Sequence, residues 1–442
     1  LEVAIVILAA GKGTRMKSSR PKILHDLGGF PLYYHTLNTS QKLQPDRHLM
    51  ITGDDKKQIL TSLDRFDYDP EIVVQEQQLG TGHAVKCALD HLNGFDGMVV
   101  VLYGDTPFVR KETLVRLIAK TTKSKPISFL GFQTQNPGNY GRLILDDEET
   151  IARIIEHKDL QPGEEAITLC NSGIVCGKSG ILRHLVAQLD TKNASGEYYL
   201  TDIAELAKRG NLGCTVTICA EEETIGINTQ EDLALAEEVF QQNKRREMLE
   251  NGVSLQSPET TFFSLDTDIH NDVVIEPNVF IGTGVKIKSG ARIRAFTYLE
   301  GCIIGENSVI GPFTRVREGT TIGENCHIGN FVEIKMADIK AGTKASHLTY
   351  IGDAEIGENT NIGAGTIFCN YDGIHKHKTM IGNDSFIGSN TLLISPIKVG
   401  NNAMTAAGSV INKNVPDGAL GISRSKQKNI EGFTKIRQSR KK

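Results

Sequence analysis

From Val274 to Ile411 an aliphatic residue returns at every sixth position, most often with Gly behind it. The first run is Ile275, Ile281, Ile287, Ile293 and Leu299. After a one-residue slip it resumes as Ile304, Ile310, Val316, Ile322, Ile328 and Ile334. Two shorter runs follow, Ile339, Ala345, Ile351 and then Ile356, Ile362, Phe368. The last is Ile381, Ile387, Leu393, Val399, Thr405 and Ile411, with Thr405 as its weak member. A period of six matches neither an amphipathic helix nor a simple alternating strand. It matches short strands and tight turns stacked as a parallel β-helix, one hexapeptide to each flat side of a triangular coil. The aliphatic side chain points into the prism, and the Gly behind it lets the backbone turn the corner.

The first half of the chain carries a different pattern. Val3–Leu8 is a short, wholly apolar run, the signature of a strand buried on both faces. Strand-like runs recur at His48–Thr52, Glu71–Gln75 and Met98–Tyr103, with helical patterns between them at Pro31–Leu43 and Thr81–Leu92. Such alternation predicts a mostly parallel sheet with ligands at the carboxyl ends of its strands. Thr229–Asn251 has the pattern of one long helix that grows polar late in its course, and Asn251-Gly252 is a stop signal. The expected organisation is therefore a domain over 1–228, a linker helix over 229–251 and a β-helix domain with a C-terminal tail over 252–442.

Composition narrows the setting. A chain of 442 residues is too long for one ordinary core. A net charge of −4 with interspersed signs argues against a nucleic-acid surface. Only the tail from Arg437 to Lys442 is a basic run, as expected of a solvated terminus. Eight cysteines without a C-x-x-C pair argue against a zinc site or a disulfide framework. No apolar run is long enough to span a membrane, and Leu1 leads straight into a strand-like run rather than a signal peptide. The expectation is a reducing cytoplasm.

Three loops at predicted strand ends carry candidate chemistry. In Ala9-Ala10-Gly11-Lys12-Gly13-Thr14-Arg15-Met16, small residues let backbone N–H groups approach a phosphate, while Lys12 and Arg15 add positive charge. It is neither a P-loop nor the dinucleotide fingerprint, and by itself it also fits a plain tight turn. The second loop runs from Gln75 to Ala84. The third is Tyr103-Gly104-Asp105-Thr106-Pro107. An Asp closing an apolar strand is costly unless it pairs or binds a cation. Mg²⁺ bridging phosphates is one answer, and an ordinary turn Asp is the other.

Taken together, L-A-A-G-x-G-T-R-M with Pro21-Lys22, Q-x-x-x-L-G-T-G-H-A and Y-G-D-x-P resemble the sugar-1-phosphate nucleotidyltransferases. Glu156-His157-Lys158-Asp159 and Gly196-Glu197-Tyr198-Tyr199-Leu200-Thr201-Asp202 narrow the likeness to the bifunctional enzymes that make UDP-N-acetylglucosamine. The resemblance implies a Rossmann-like α/β nucleotidyltransferase fold. It also implies a UTP and UDP-N-acetylglucosamine site lined by Leu8, Ala9, Ala10, Gly11, Lys22, Gln75, Gly80, Thr81, Tyr103, Gly104 and Asp105. Gly141, Glu156 and Asn171 would hold the sugar, although surface polarity alone would also explain the last two. Asp105 and Asn228 would bind Mg²⁺, and Arg15 and Lys22 would offset charge at the reacting phosphates. His25, His83 and His157 are expected to be structural or solvent-facing.

The hexapeptide region in turn resembles the left-handed β-helix acyltransferases. Such prisms form trimers with acyl-CoA clefts between subunits, so a homotrimer is expected. An amide-forming acyl transfer needs a base, cationic contacts for a sugar phosphate and donors for the thioester oxygen. N-F-V-E-x-K, H-L-T-Y-x-G-D, N-I-G-A-G-T and the N-Y-D-G loop resemble the acetyltransferase half of the same bifunctional enzymes. On the residues alone Glu333 is the candidate to orient the His347 ring, and the resemblance makes His347 the base. It assigns Arg317, Lys335, Tyr350 and Asn361 to glucosamine 1-phosphate. Ala364, Asn370, Tyr371, Ser389, Ala407 and Arg424 fall to acetyl-CoA. Glu318 after Arg317 departs from the Pro common there and puts that loop's backbone in question. The basic excursion at His375, Lys376, His377 and Lys378 suits either CoA phosphates or solvent. The alternative is a single-activity nucleotide-sugar pyrophosphorylase whose β-helix only oligomerises or binds an effector.

Overall fold

The computed structural model describes residues 2–66, 68–147 and 149–439. Leu1 and residues 440–442 of the basic tail lie outside the described residues. The chain divides into two compact units between Val239 and Phe240.

The first unit is built on a nine-stranded sheet. In chain order its strands are β1 (Val3–Leu8), β2 (Arg47–Thr52), β3 (Glu71–Val74), β4 (Met98–Tyr103), β5 (Ile127–Gln133), β6 (Gly141–Leu145), β7 (Ile151–Ile155), β8 (Leu169–Lys178) and β9 (Cys214–Cys219). The spatial order is β9-β5-β8-β4-β1-β2-β3, and β6 pairs with β8 and β7 off this path. All neighbours along the path are parallel except β8, which runs antiparallel to β4 and β5. Strand β1 is apolar throughout because both faces are covered. Ile5 and Ile7 pack with Val100 and Leu102 on the side of helices α1 (Leu32–Gln41) and α4 (Lys111–Ala119). Ala4, Val6 and Leu8 pack with Val99 and Val101 on the side of α3 (Thr81–His91) and α5 (Ser179–Val186), the short helix Lys56–Leu63 being α2. Helix α6 spans Ile203–Arg209 and α7 spans Gln230–Glu250.

Helix α7 opens with a reciprocal cap. The Thr229 and Asn228 backbone N–H groups both donate to Asp232 Oδ2 at 2.9 Å, and the Asp232 N–H donates to Thr229 Oγ1 at 3.1 Å. This capping box fixes the chain at Asn228, just before the helix.

The second unit is the left-handed β-helix. Its strands are two to seven residues long and pair in parallel with the equivalent strand of the next coil. Val274 pairs with Arg292 and Val309 with His327, so one turn consumes about three hexapeptides. Every inward position of the six-residue register is buried, from Ile275 to Ile411. Thr405 also points inward, its hydroxyl accepting from the Gly388 N–H at 3.0 Å and meeting Thr391 Oγ1 at 3.1 Å. The widest steps, Ala354 to Thr379, Asn361 to Phe386 and Ile367 to Leu392, accommodate the excursion. The turn at Arg317-Glu318-Gly319 keeps the coil: Arg315–Val316 and Thr320–Ile322 are both paired strands, and Gly319 supplies the left-handed corner at φ 73°. Among the described residues no helix is long and apolar enough to cross a membrane.

Candidate active sites

The carboxyl ends of β1 and β4, adjacent at the centre of the sheet, open into a cleft of about 500 Å³, within the range usual for small-molecule sites. Its lining includes Leu8, Ala9, Ala10, Gly11, Lys22, Gln75, Gly80, Thr81, Tyr103 and Asp105. Backbone bonds lock the two strand ends, with Gly104 N–H donating to Leu8 O at 3.0 Å. Lys22 reaches the cleft because Gly13 yields space. A β-carbon at Gly13 would lie 2.6 Å from Lys22 Cβ, and φ is 59° there.

At the edge of the cleft four polar side chains converge. The Lys22 ammonium donates to Asp105 Oδ2 and, at 3.1 Å, to Asn228 Oδ1. Arg15 Nη2 donates to that same Asn228 oxygen at 2.9 Å. Two oxygens from distant parts of the chain, Asp105 Oδ2 and Asn228 Oδ1, thus share the Lys22 ammonium, and Arg15 reaches the second of them. No group of three or more His, Cys, Asp or Glu suited to a metal occurs among the described residues. Asp105 and Asn228 nonetheless suit Mg²⁺, a hard cation that takes few protein oxygens and completes its shell with water and substrate phosphate.

A second cluster lies across the sheet. Asn171 pairs in register with Gly141, and a β-carbon at Gly141 would be 3.5 Å from Glu156 Oε2. Glu156 Oε1 accepts from Thr201 Oγ1 at 2.9 Å. Burial raises the Glu156 carboxyl pKa above the ordinary range, and burial followed by the Glu156 charge pushes Asp202 up to about 6. Burial also drives the Tyr103 phenol well up, with Glu156 and Asp105 adding to the effect. The Asn171 Oδ1 is buried without a hydrogen-bond partner. An orphaned acceptor of this kind costs on the order of 1–3 kcal/mol, and a bound hydroxyl donor would recover it.

In the β-helix the candidate residues fall on two neighbouring ladders. On one, Glu333 lies between Arg315 and Tyr350, and Lys335 beside Gly352. Arg317 Nη1 donates to Glu333 Oε1 at 3.0 Å, which raises the guanidinium pKa further. Gly352 is required here: a β-carbon would come within 2.5 Å of the Tyr350 hydroxyl and 2.7 Å of Asn370 Nδ2. Asn370 in turn donates to Asp353. On the other ladder, Lys344 pairs with Asn361 and Asn330 with His347. Further along, Ala364, Ser389 and Ala407 share one corner through Asn390 N–H to Ala364 O and Gly408 N–H to Ser389 O, both 2.8 Å. Arg424 Nη1 donates to Ala407 O at 2.7 Å. Tyr371 stands 59% exposed at the base of the excursion.

One expectation is overturned. Glu333 does not orient His347, because its carboxylate is taken by Arg317; the His347 Nδ1 partner is Asn330 Oδ1 at 2.8 Å. The reason is register: Asn330 occupies the same place one coil earlier, whereas Glu333 lies past the corner. In the excursion, His377 pairs with Asp372 at 2.7 Å and Lys378 with Glu355.

A MobA-like NTP transferase domain matches residues 5–161, and the bacterial transferase hexapeptide repeat matches 301–335 and 378–413. Proteins named "Bifunctional protein GlmU" align along nearly the whole chain. That of Jannaschia sp. (strain CCS1) is 50% identical over 439 residues, 98% of this chain and 96% of its own. Those of Paracoccus denitrificans (48% identical; 96% of this chain and 94% of theirs) and Zymomonas mobilis (46%; 99% and 98%) agree. The chain belongs to the GlmU family. As a GlmU-family member it is a bifunctional enzyme of UDP-N-acetylglucosamine synthesis, with a nucleotidyltransferase and a hexapeptide acetyltransferase domain.

Lys12, expected to add positive charge at the phosphate loop, lines the cleft of this GlmU-family chain, which also holds residues that sequence reasoning did not assign to it: Ile23, Gln78, Ala84 and Glu197. Lys12 and Gln78 lie inside motifs that were recognised, so their loops signalled them. Glu197 is delivered by distant struts: Ala194 N–H donates to Asp159 Oδ1 at 3.0 Å, and Tyr198 N–H to Leu79 O at 2.9 Å. Gly104, Gly141, Glu156, Asn171, Asn228 and Arg15 do not line the cleft itself. Gly104 ties the end of β4 to β1, and the other five belong to the two polar clusters described above.

Proposed function

We propose that residues 1–228 transfer uridylyl from UTP to N-acetylglucosamine 1-phosphate, and that residues 252–442 first make that substrate by acetylating glucosamine 1-phosphate. The observation that carries the reading is the convergence of Lys22, Arg15, Asp105 and Asn228 below the Gly11 loop. A phosphate oxygen of the sugar attacks the α-phosphorus of UTP in line, and pyrophosphate departs. Such transfer asks the protein for alignment and charge neutralisation more than for covalent chemistry. Leu8, Ala9, Ala10, Gly11, Gln75, Gly80, Thr81, Tyr103 and Gly104 hold the nucleotide, while Gly141, Glu156 and Asn171 hold the sugar. Asp105 and Asn228 would hold Mg²⁺, which would neutralise phosphate charge. Lys22 and Arg15 hold the phosphates from the protein side.

In the β-helix the glucosamine nitrogen bonds to the acetyl carbonyl carbon, the carbon–sulfur bond breaks, and CoA leaves as its thiol. The amine proton passes to His347. Arg317 and Lys335 hold the phosphate, Tyr350 and Asn361 the sugar. Ala364, Asn370, Tyr371, Ser389, Ala407 and Arg424 hold acetyl-CoA.

The working assembly is a homotrimer through the β-helix. Phe296, Phe313, Phe331 and Leu348 form one exposed column, the first two rings 4.8 Å apart and 2° from parallel. All four adopt φ between 52° and 58°, a region bulky side chains rarely visit. Exposed apolar columns of this kind are covered in functional assemblies. All eight cysteines are free, which suits a reducing compartment such as the cytoplasm.

Incubation with glucosamine 1-phosphate, acetyl-CoA, UTP and Mg²⁺ should release CoA thiol and pyrophosphate. Omitting acetyl-CoA should stop both, and supplying N-acetylglucosamine 1-phosphate should restore pyrophosphate alone. Pyrophosphate release without thiol release in the complete mixture would favour the single-activity alternative.

A further inference from the structure

We infer that Asn330 is the positioning residue for His347, holding the imidazole in the tautomer that leaves Nε2 free to accept the amine proton. This rests on the assignment of His347 as base and specifies what makes it one.

The geometry is a clamp at two points. Asn330 Oδ1 lies 2.8 Å from His347 Nδ1, and Asn330 O accepts the Leu348 backbone N–H at 3.1 Å. A carbonyl oxygen can only accept, so Nδ1 must carry the hydrogen and Nε2 the lone pair. The backbone on either side is tied as well. Thr349 Oγ1 donates to His347 O at 2.8 Å, and Leu348 turns the corner at φ 52°. The ring is exposed, so no packing shell would otherwise fix it. Without the amide, the two tautomers and several rotamers would share the population.

The orienting group is also neutral. A carboxylate at that distance would favour the imidazolium and reduce the free base near neutral pH. The carboxylate within sequence reach, Glu333, is bound by Arg317. The remaining titratable neighbours are His327 and Lys344, in the strands that end at Asn330 and His347, and Arg294, whose charge reaches His327; none of them is a carboxylate. A neutral acceptor therefore sets the tautomer without placing a negative charge beside the ring.

The test compares Asn330→Leu, Asn330→Asp and His347→Ala in the full chain, with pyrophosphate release as the folding control. Asn330→Leu should lower kcat for thiol release by about 10- to 100-fold, the size of loss typical when the partner orienting a metal-bound histidine is removed, with KM nearly unchanged. Asn330→Asp should regain most of that rate at high pH and move the acid limb of the pH–rate profile upward. The ¹⁵N spectrum of His347 should show the Nδ1–H form in the parent and a mixture in Asn330→Leu. A kcat within twofold of the parent for Asn330→Leu, or an acid limb unmoved by Asn330→Asp, overturns the inference. If His347→Ala keeps full thiol release, the base assignment fails and this inference with it. If His347→Ala is inactive while both Asn330 variants match the parent, only the positioning role fails.

Discussion

The two sites solve the same problem, handling a sugar phosphate, with opposite architectures. In the α/β unit the cationic and anionic groups are already paired around a cleft, and they come from the loops of one sheet. In the β-helix the candidates are spread along two ladders, with His347 and Tyr371 open to solvent. A doubly wound sheet gathers loops at one end of its strands, so a single chain can close a site. A solenoid adds residues only along its length, so its sites stay open until another surface is laid against them. The first site should therefore be sensitive to charge and the second to assembly.

The largest expected effect tests the charged cluster. Asp105→Ala should remove uridylyl transfer by at least ~10³-fold, since it takes away the partner of Lys22 and one of the two oxygens proposed to hold Mg²⁺. Acetyl transfer should stay within twofold. Equal loss of both activities in a folded variant would show that the two sites are not independent. Next comes His347→Ala, expected to slow thiol release ~10²–10⁴-fold, the usual worth of general-base help. Pyrophosphate release and sedimentation should not change, because His347 is exposed and outside the inward register. Near-normal thiol release would send the search for a base to His375 and His377.

A smaller effect separates the architectures directly. Phe313→Asp puts a charge into the exposed aromatic column without touching the core. Sedimentation should then shift toward monomer, with dissociation at least ~10-fold easier, since burying an unpaired charge costs several times the 1.4 kcal/mol of one decade. Acetyl transfer should fall with the trimer while uridylyl transfer persists. A monomer with full acetyl transfer would mean the solenoid site is complete within one chain.

What the sequence disclosed follows the same divide. The inward register from Ile275 to Ile411 was legible residue by residue, because a solenoid core is local and periodic. The cleft loops were legible as motifs, but their meeting was not: Lys22 and Asn228 are 206 residues apart and join only through the fold. The Asn330–His347 bond was nearly readable, since it is one coil step. The proximity of Glu333 in the N-F-V-E-x-K motif drew attention to the wrong acceptor, and only the pairing of Ile328 with Ala345 fixes the partner.

The smallest effect concerns stability of the α/β unit alone. Asp202 is pushed up to about 6 from an ordinary 3.8, chiefly by burial and then by the Glu156 charge. A carboxyl raised in the folded state contributes stability while protonated and loses it as pH climbs through the folded value. The unfolded chain ionises it near its ordinary value, so the loss accumulates between about pH 4 and pH 6 and is complete at pH 7. Asp202→Asn never ionises and escapes the loss. Its uridylyltransferase unit should melt a few degrees higher than the parent at pH 7.5, the shift expected for about 1 kcal/mol in a unit of this size. The half-exposed position screens the charge, which keeps the gain this modest. The advantage should shrink below pH 6 and vanish near pH 4, while the melting of the β-helix unit stays the same in both proteins. An advantage independent of pH would assign the effect to packing rather than to the proton, and no advantage at pH 7.5 would mean that Thr201 and solvent already satisfy the Glu156–Asp202 pair.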